Sequence, residues 1–204
     1  MSRSATSRLL VVGTVVHFAA LTVVVGAGAL WSRLEVSWLG DRAAGESLAW
    51  GAVAGGAIVA ASWAMTRWCE AGRRLERMLA PAVAGLRWPQ ALVLAVGAGV
   101  AEEAVFRGAM WTLIASWWGE SAAWGVTTAL FGAIHGLFVR RMRVWGLFAL
   151  AAGVVLGGLR WGTGGILAPV AAHIVIDAIN LPMLVRRGSA PTTDEPRHAE
   201  QDQP

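Results

Sequence analysis

Ala101-Glu102-Glu103-Ala104-Val105-Phe106-Arg107 sets two carboxylates and a guanidinium inside an otherwise apolar segment covering 88–118. At the centre of a bilayer such a group costs about 2.5–3.5 kcal/mol or more, so an ionisable residue at that depth is a functional-site hypothesis with a partner to be found. On a helix Glu103 and Arg107 share a face, and the spacing predicts an i,i+4 ion pair, while Glu102 points about 100° away. Glu102 is the carboxylate left over.

Working outward, the chain reads as a membrane protein. It is 56% apolar over 204 residues, and its apolar runs come near or exceed the roughly 20 residues that cross about 30 Å of hydrocarbon. All 17 basic residues are Arg, and the formal charge is +4. They lie in short loops between apolar runs, where they orient a membrane protein, so the charge is not read as a nucleic-acid footprint. The Arg-only, Ala/Gly/Val-rich usage points to a GC-rich bacterial genome. Cys69 is the single cysteine, which excludes an internal disulfide and a cysteine metal cluster.

Six spans are predicted, over 9–31, 48–66, 90–118, 122–139, 144–159 and a last one ending before Arg186, giving an all-α, polytopic transmembrane helical bundle. The run 9–31 is longer than the roughly 7–15 residues of a signal-peptide core, so it is read as a retained helix, with His17 in a packing role. Gly51, Gly55 and Gly56 would let a neighbouring helix approach closely. The loop 67–89 carries Arg67, Arg73, Arg74, Arg77 and Arg87 and fits a short interfacial helix interrupted at Pro81. Gly119-Glu120-Ser121 is a tight turn between the third and fourth spans. Pro169 either kinks the last helix or marks its first turn. Three parts follow: 1–87 with two spans and a basic loop, a helical bundle over 88–187 carrying the polar groups, and a disordered polar tail over 188–204. Thirteen Arg fall on the side of the termini and three on the other, so both termini are expected in the cytoplasm.

The polar residues of the later spans form a pattern. His173, Asp177 and Asn180 line one stripe of the last helix, and Phe131 and His135 are four apart on the fourth. Taken singly these have plain readings: Glu103 with Arg107 as a structural ion pair, each histidine as a packing residue, Phe131 as core. Together, Glu102, His135 and His173 occupy the only three spans with unexplained polar groups, and a shared water-accessible cavity opening to the cytoplasm fits their depths. No H-E-x-x-H, G-x-S-x-G or P-loop motif is present. What remains is a carboxylate general base with imidazole partners, or a metal held by the same groups.

Glu102-Glu103-x-x-x-Arg107, Phe131-x-x-x-His135 and His173-x-x-x-Asp177, with Gly164-Gly165-Ile166-Leu167-Ala168-Pro169 leading into the third, resemble the three-motif signature of the CPBP family. These are the CAAX-protease and bacteriocin-processing (Abi) intramembrane endopeptidases. The resemblance covers about 88–184. It implies that Glu102 activates a water for attack on a peptide carbonyl, that His135 helps hold that water, that His173 and Asp177 stabilise the oxyanion, and that Glu103 and Arg107 shape the site. The family has Asn at the position of Asp177 in many members and Asp in others, and an ionised Asp cannot donate to an oxyanion.

The expected function is therefore an intramembrane endopeptidase of a bacterial plasma membrane, cutting a membrane-associated peptide or protein near its embedded or lipidated end. Prenylated CAAX substrates and bacterial peptide precursors are both open. No cofactor is expected. Zinc on Glu102, His135 and His173 is the alternative, since the family was also described as metalloproteases. Two other functions compete: a non-catalytic immunity or scaffold protein, and a proton-coupled transporter using the same groups as a relay. Intact Glu102, His135 and His173 speak against the first, and the lack of paired half-helices against the second.

Overall fold

The computed structural model describes residues 36–188. The predicted span 9–31, His17 and the predicted tail beyond Gly188 lie outside the described residues. Within them the elements are α1 (Ala44–Trp68), α2 (Glu70–Val83), α3 (Trp88–Glu103), a π-helical stretch (Ala104–Met110), α4 (Trp111–Ile134), α5 (Arg143–Thr163) and α6 (Leu167–Gly188), with no strand among the described residues.

Helix α6 is the hub, packed against α1, α2, α3 and α5. Small residues make this possible. On α1 the buried stripe runs Ser47, Gly51, Gly55, Ile58 and Val59. A Cβ at Gly51 would lie 2.4 Å from the Ala168 carbonyl oxygen, and one at Gly55 2.7 Å from that of Ala172. The two helices thus meet backbone to backbone, which in lipid supplies packing where no hydrophobic drive exists between helices. Gly56, expected to act likewise, faces open space. Pro169 stands in the first turn of α6, where its missing N–H costs nothing. The backbone N–H groups of Ile166 and Leu167 are taken by the carbonyls of Ser37 and Trp38 at 3.1 and 3.0 Å.

The outward faces are apolar. Trp50, Val53, Val93 and Leu147 are exposed, the distribution of a bundle solvated by lipid and not by water. The exception is α2, an amphipathic helix that buries Gly72 and Leu75. Its polar face carries Glu70, which accepts hydrogen bonds from Arg77 at 2.6 Å, Arg73 at 3.0 Å and Arg74 at 3.3 Å. Arg77 first, then Arg73, hold the Glu70 carboxyl down at about 2. Because that value lies below the unfolded one, the support Glu70 gives α2 is complete above about pH 4.5 and is lost as pH falls through about 2. Pro81 does not interrupt the helix, which runs on to Val83.

Chain direction reverses at Gly119, whose φ of 82° no ordinary L-residue adopts in a helix. The two arms fold back on each other: Ile114 packs with Ala123, Trp111 Nε1 donates to Glu120 at 2.5 Å, and the Phe106 and Phe131 rings meet edge to face at 5.3 Å. The predicted turn is therefore present.

The predicted number of spans is not met. Among the described residues three helices, α1, α5 and α6, are long and apolar enough to cross a membrane, or four if α2 and the bent continuation Trp88–Ile134 count as one broken span. The difference has two causes. The first predicted span lies outside the described residues. The third and fourth form one helical hairpin, in which α3 has only 16 residues and α4 is broken at Gly119. The fourth also stops at Ile134 instead of reaching 139, because His135 (ψ 10°) and Gly136 (φ 93°) leave helical geometry.

Candidate active site

Glu102 and Glu103 close α3, and the π-helical stretch begins one residue later. Its wider turn carries i→i+5 hydrogen bonds and is frequent at functional sites. Here it lets Val105, Phe106, Arg107 and Gly108 all be buried in succession, which one face of an α-helix does not allow. Nothing in the sequence pattern announces it.

Glu103 and Arg107 form the predicted pair, with Nη1 to Oε1 at 3.1 Å and both side chains fully buried. The pair is not isolated. Nη2 of Arg107 donates to the Gly153 carbonyl at 3.2 Å, and its guanidinium lies 4.5 Å from the centre of the Phe131 ring. On the other side, Nδ1–H of His173 donates to the same Oε1 of Glu103 at 2.8 Å. A line Arg107–Glu103–His173 thus joins the π-helical stretch to α6. Sequence reading gave Glu103 a shaping role and missed its bond to His173, which spans 70 positions of chain.

Glu102 faces the opposite partner. Its Oε2 lies 3.7 Å from Nε2 of His135, with side chains 13% and 17% exposed. That oxygen makes no hydrogen bond among the described residues. His135 terminates α4, and its ring folds back so that Nδ1–H donates to the Phe131 carbonyl at 2.7 Å. This fixes the neutral tautomer: Nε2 presents a lone pair toward Glu102. Asp177 sits one turn beyond His173, its Oδ2 3.6 Å from Nε2. Asn180, next on the stripe, accepts from Ser62 at 3.2 Å on α1 and so belongs to helix packing.

Phe131 holds the two halves together. Its ring centre lies 4.4 Å from that of His135 and 6.0 Å from that of His173. A residue readable as plain core therefore forms the common floor between both imidazoles and Arg107.

The three groups a two-His, one-carboxylate zinc shell would need are not gathered. His173 spends Nδ1 on Glu103 and turns Nε2 toward Asp177, while Glu102 lies 3.7 Å from Nε2 of His135. Among the described residues no set of three or more His, Cys, Asp or Glu side chains is disposed to hold a metal ion. The donor set does not fit that metal.

An apolar groove opens beside this constellation, between α1, α2, α5 and α6. It is lined among others by Trp63, Leu75, Trp145, Phe148 and Met183. Trp145 forms the shared wall, its ring 5.7 Å from His135 and stacked on Phe148 at 5.9 Å.

Residues 84–179 match the family described as type II CAAX prenyl endopeptidase, Rce1-like. No curated protein and no solved structure matches the chain.

Proposed function

We propose that the chain, whose residues 84–179 match the Rce1-like family of type II CAAX prenyl endopeptidases, cleaves peptide bonds with a water activated by Glu102. The match supports an intramembrane protease acting on a membrane-associated protein. One observation supports the finer reading: a buried Glu102 oxygen, with no hydrogen-bond partner among the described residues, 3.7 Å from Nε2 of His135. A water about 2.8 Å from each atom would donate one proton to either, at an angle of roughly 80° between them. Its oxygen lone pairs would then point away from both, toward a substrate carbonyl. Glu102 takes the proton as the carbon–oxygen bond forms and returns it to the leaving amide nitrogen.

His173 serves the oxyanion. Its Nδ1–H is committed to Glu103, which Arg107 holds in place, so Nε2, beside Asp177, is the nitrogen left to carry a second proton to the substrate. Preorganised donors of this kind matter most where water is excluded. The apolar groove beside Trp145 receives the hydrophobic or lipidated part of the substrate, a prenylated C-terminus or a bacterial peptide precursor. Comparison of membrane peptides from cells making the wild type and Glu102→Gln tests the reading. Fragments ending at a common junction, absent with the variant, are expected, and identical peptide sets would leave no proteolysis to explain.

Asp177 has less to do than its place on the stripe implies. Glu103 already orients His173, so Asp177 is free to act as a neutral donor beside the oxyanion. Asp177→Asn is therefore expected to keep activity within about tenfold, measured as turnover of the identified junction, whereas loss of a positioned partner would cost 10²-fold or more. A folded, inactive Asp177→Asn would assign the ring's orientation to Asp177.

On this reading the bundle sits in a bacterial plasma membrane with both termini and the groove on the cytoplasmic side, which the Arg distribution supports. Cys69, the one thiol of the chain, is exposed directly after α1. A membrane-impermeant maleimide is expected to label it in inverted vesicles and to miss it in intact cells. Labelling from outside reverses the orientation.

A further inference from the structure

Helix α2 has two faces with different tasks. At about 100° per residue, Arg73, Arg77, Glu70 and Arg74 fall within roughly 100° of arc, and the arc opposite carries Leu75 and Leu79, which line the groove. The side chains of Arg73, Arg74 and Arg77 are 43%, 76% and 63% exposed. Arg67, also exposed, precedes them at the end of α1. Four guanidinium groups against one carboxylate leave three positive charges in excess. None of them enters the proposed chemistry.

The position of this face says what it meets. Helix α1 is long and apolar enough to cross a membrane and ends at Trp68, and only Cys69 separates it from α2. The polar face therefore begins where the hydrocarbon ends. Trp68 and Trp88, 75% and 65% exposed, flank α2 at its two ends, and indole rings at such sites settle at headgroup level. Three guanidinium groups already converge on the two oxygens of Glu70, an arrangement that suits a phosphate equally well.

We propose that the Arg67–Arg77 face of α2 is a docking surface for the phosphate headgroups of anionic phospholipids, with Glu70 as a built-in competitor for the same arginines. Glu70 remains ionised down to about pH 2, so the competition is constant over the pH range of a living cell. The surface sets the depth of α2, and with it the groove whose wall α2 forms.

The full chain, labelled with a fluorophore on Cys69 and reconstituted into vesicles, tests this. Quenching by phosphatidylglycerol carrying a nitroxide near its headgroup is compared with quenching by the equivalent phosphatidylcholine. A preference for the anionic lipid of roughly three- to tenfold is expected, on a scale where each basic residue near the surface contributes about a factor of five. It should fall toward one at about 0.5 M salt, and toward one in the triple variant Arg73→Gln, Arg74→Gln, Arg77→Gln. Glu70→Gln, by freeing the arginines, should raise it about twofold or more, and this arm stands even if the triple variant does not fold. Equal quenching by the two lipids, or a Glu70→Gln variant with no gain, overturns the proposal. Displacement of phosphatidylglycerol by soluble polyglutamate at equal charge overturns it too, in favour of an acidic polypeptide partner.

Discussion

Glu102→Gln is expected to lower turnover by about 10²- to 10⁴-fold, the range for removing a positioned general base, with KM and the unfolding temperature unchanged. The substitution keeps the shape and the distance to His135 and takes away only the ability to accept a proton. Glu102 forms no hydrogen bond through Oε2 among the described residues, so no packing partner is lost. His135→Ala should fall by a similar factor, and the double variant should be little worse than either, because the two groups hold one water. A reporter carrying the junction identified in cells gives the rates. Dialysis of the wild type against a strong chelator belongs in the same assay and is expected to leave activity intact. Activity lost on chelation and restored by zinc would move Glu102 and His135 from general-base catalysis into a metal shell that closes only with substrate.

How much of this was legible in the chain depends on the range of each interaction. The Glu103–Arg107 pair was readable because it is an i,i+4 contact of one helical segment, and the structure has it at 3.1 Å. The same periodicity separated Glu102 from it and aligned His173 with Asp177. The all-α membrane bundle followed from the long apolar runs. The span count did not, because a hydropathy pattern does not distinguish independent crossings from the two arms of a hairpin divided at Gly119. The bond from Glu103 to His173 was out of reach, since it depends on how α6 lies against α3, and no local period encodes that crossing. Phe131 was hidden by its chemistry: an aromatic ring on an apolar helix looks the same as core or as the floor of a site. Its place four residues before His135 set it in the second motif without giving it a role.

The buried ionic line offers the sharpest separation of structural from catalytic roles. Arg107→Leu is expected to cost about 3–5 kcal/mol, because it leaves Glu103 charged and buried with one partner removed. Both side chains are fully buried, so solvent does not soften that loss. Activity should fall with stability, which by itself says little. Adding Glu103→Gln removes the orphaned charge, and replacing a buried pair by neutral groups of similar volume is often close to neutral for stability. The double variant should therefore recover most of the lost stability, read as the unfolding temperature in detergent. It should not recover activity. His173 Nδ1–H then faces a neutral amide, and the ring loses the hydrogen-bonded carboxylate that balances the second proton it must carry on Nε2 to meet the oxyanion. Recovery of both together would make Arg107–Glu103–His173 a packing device and leave His173 to be oriented by Asp177.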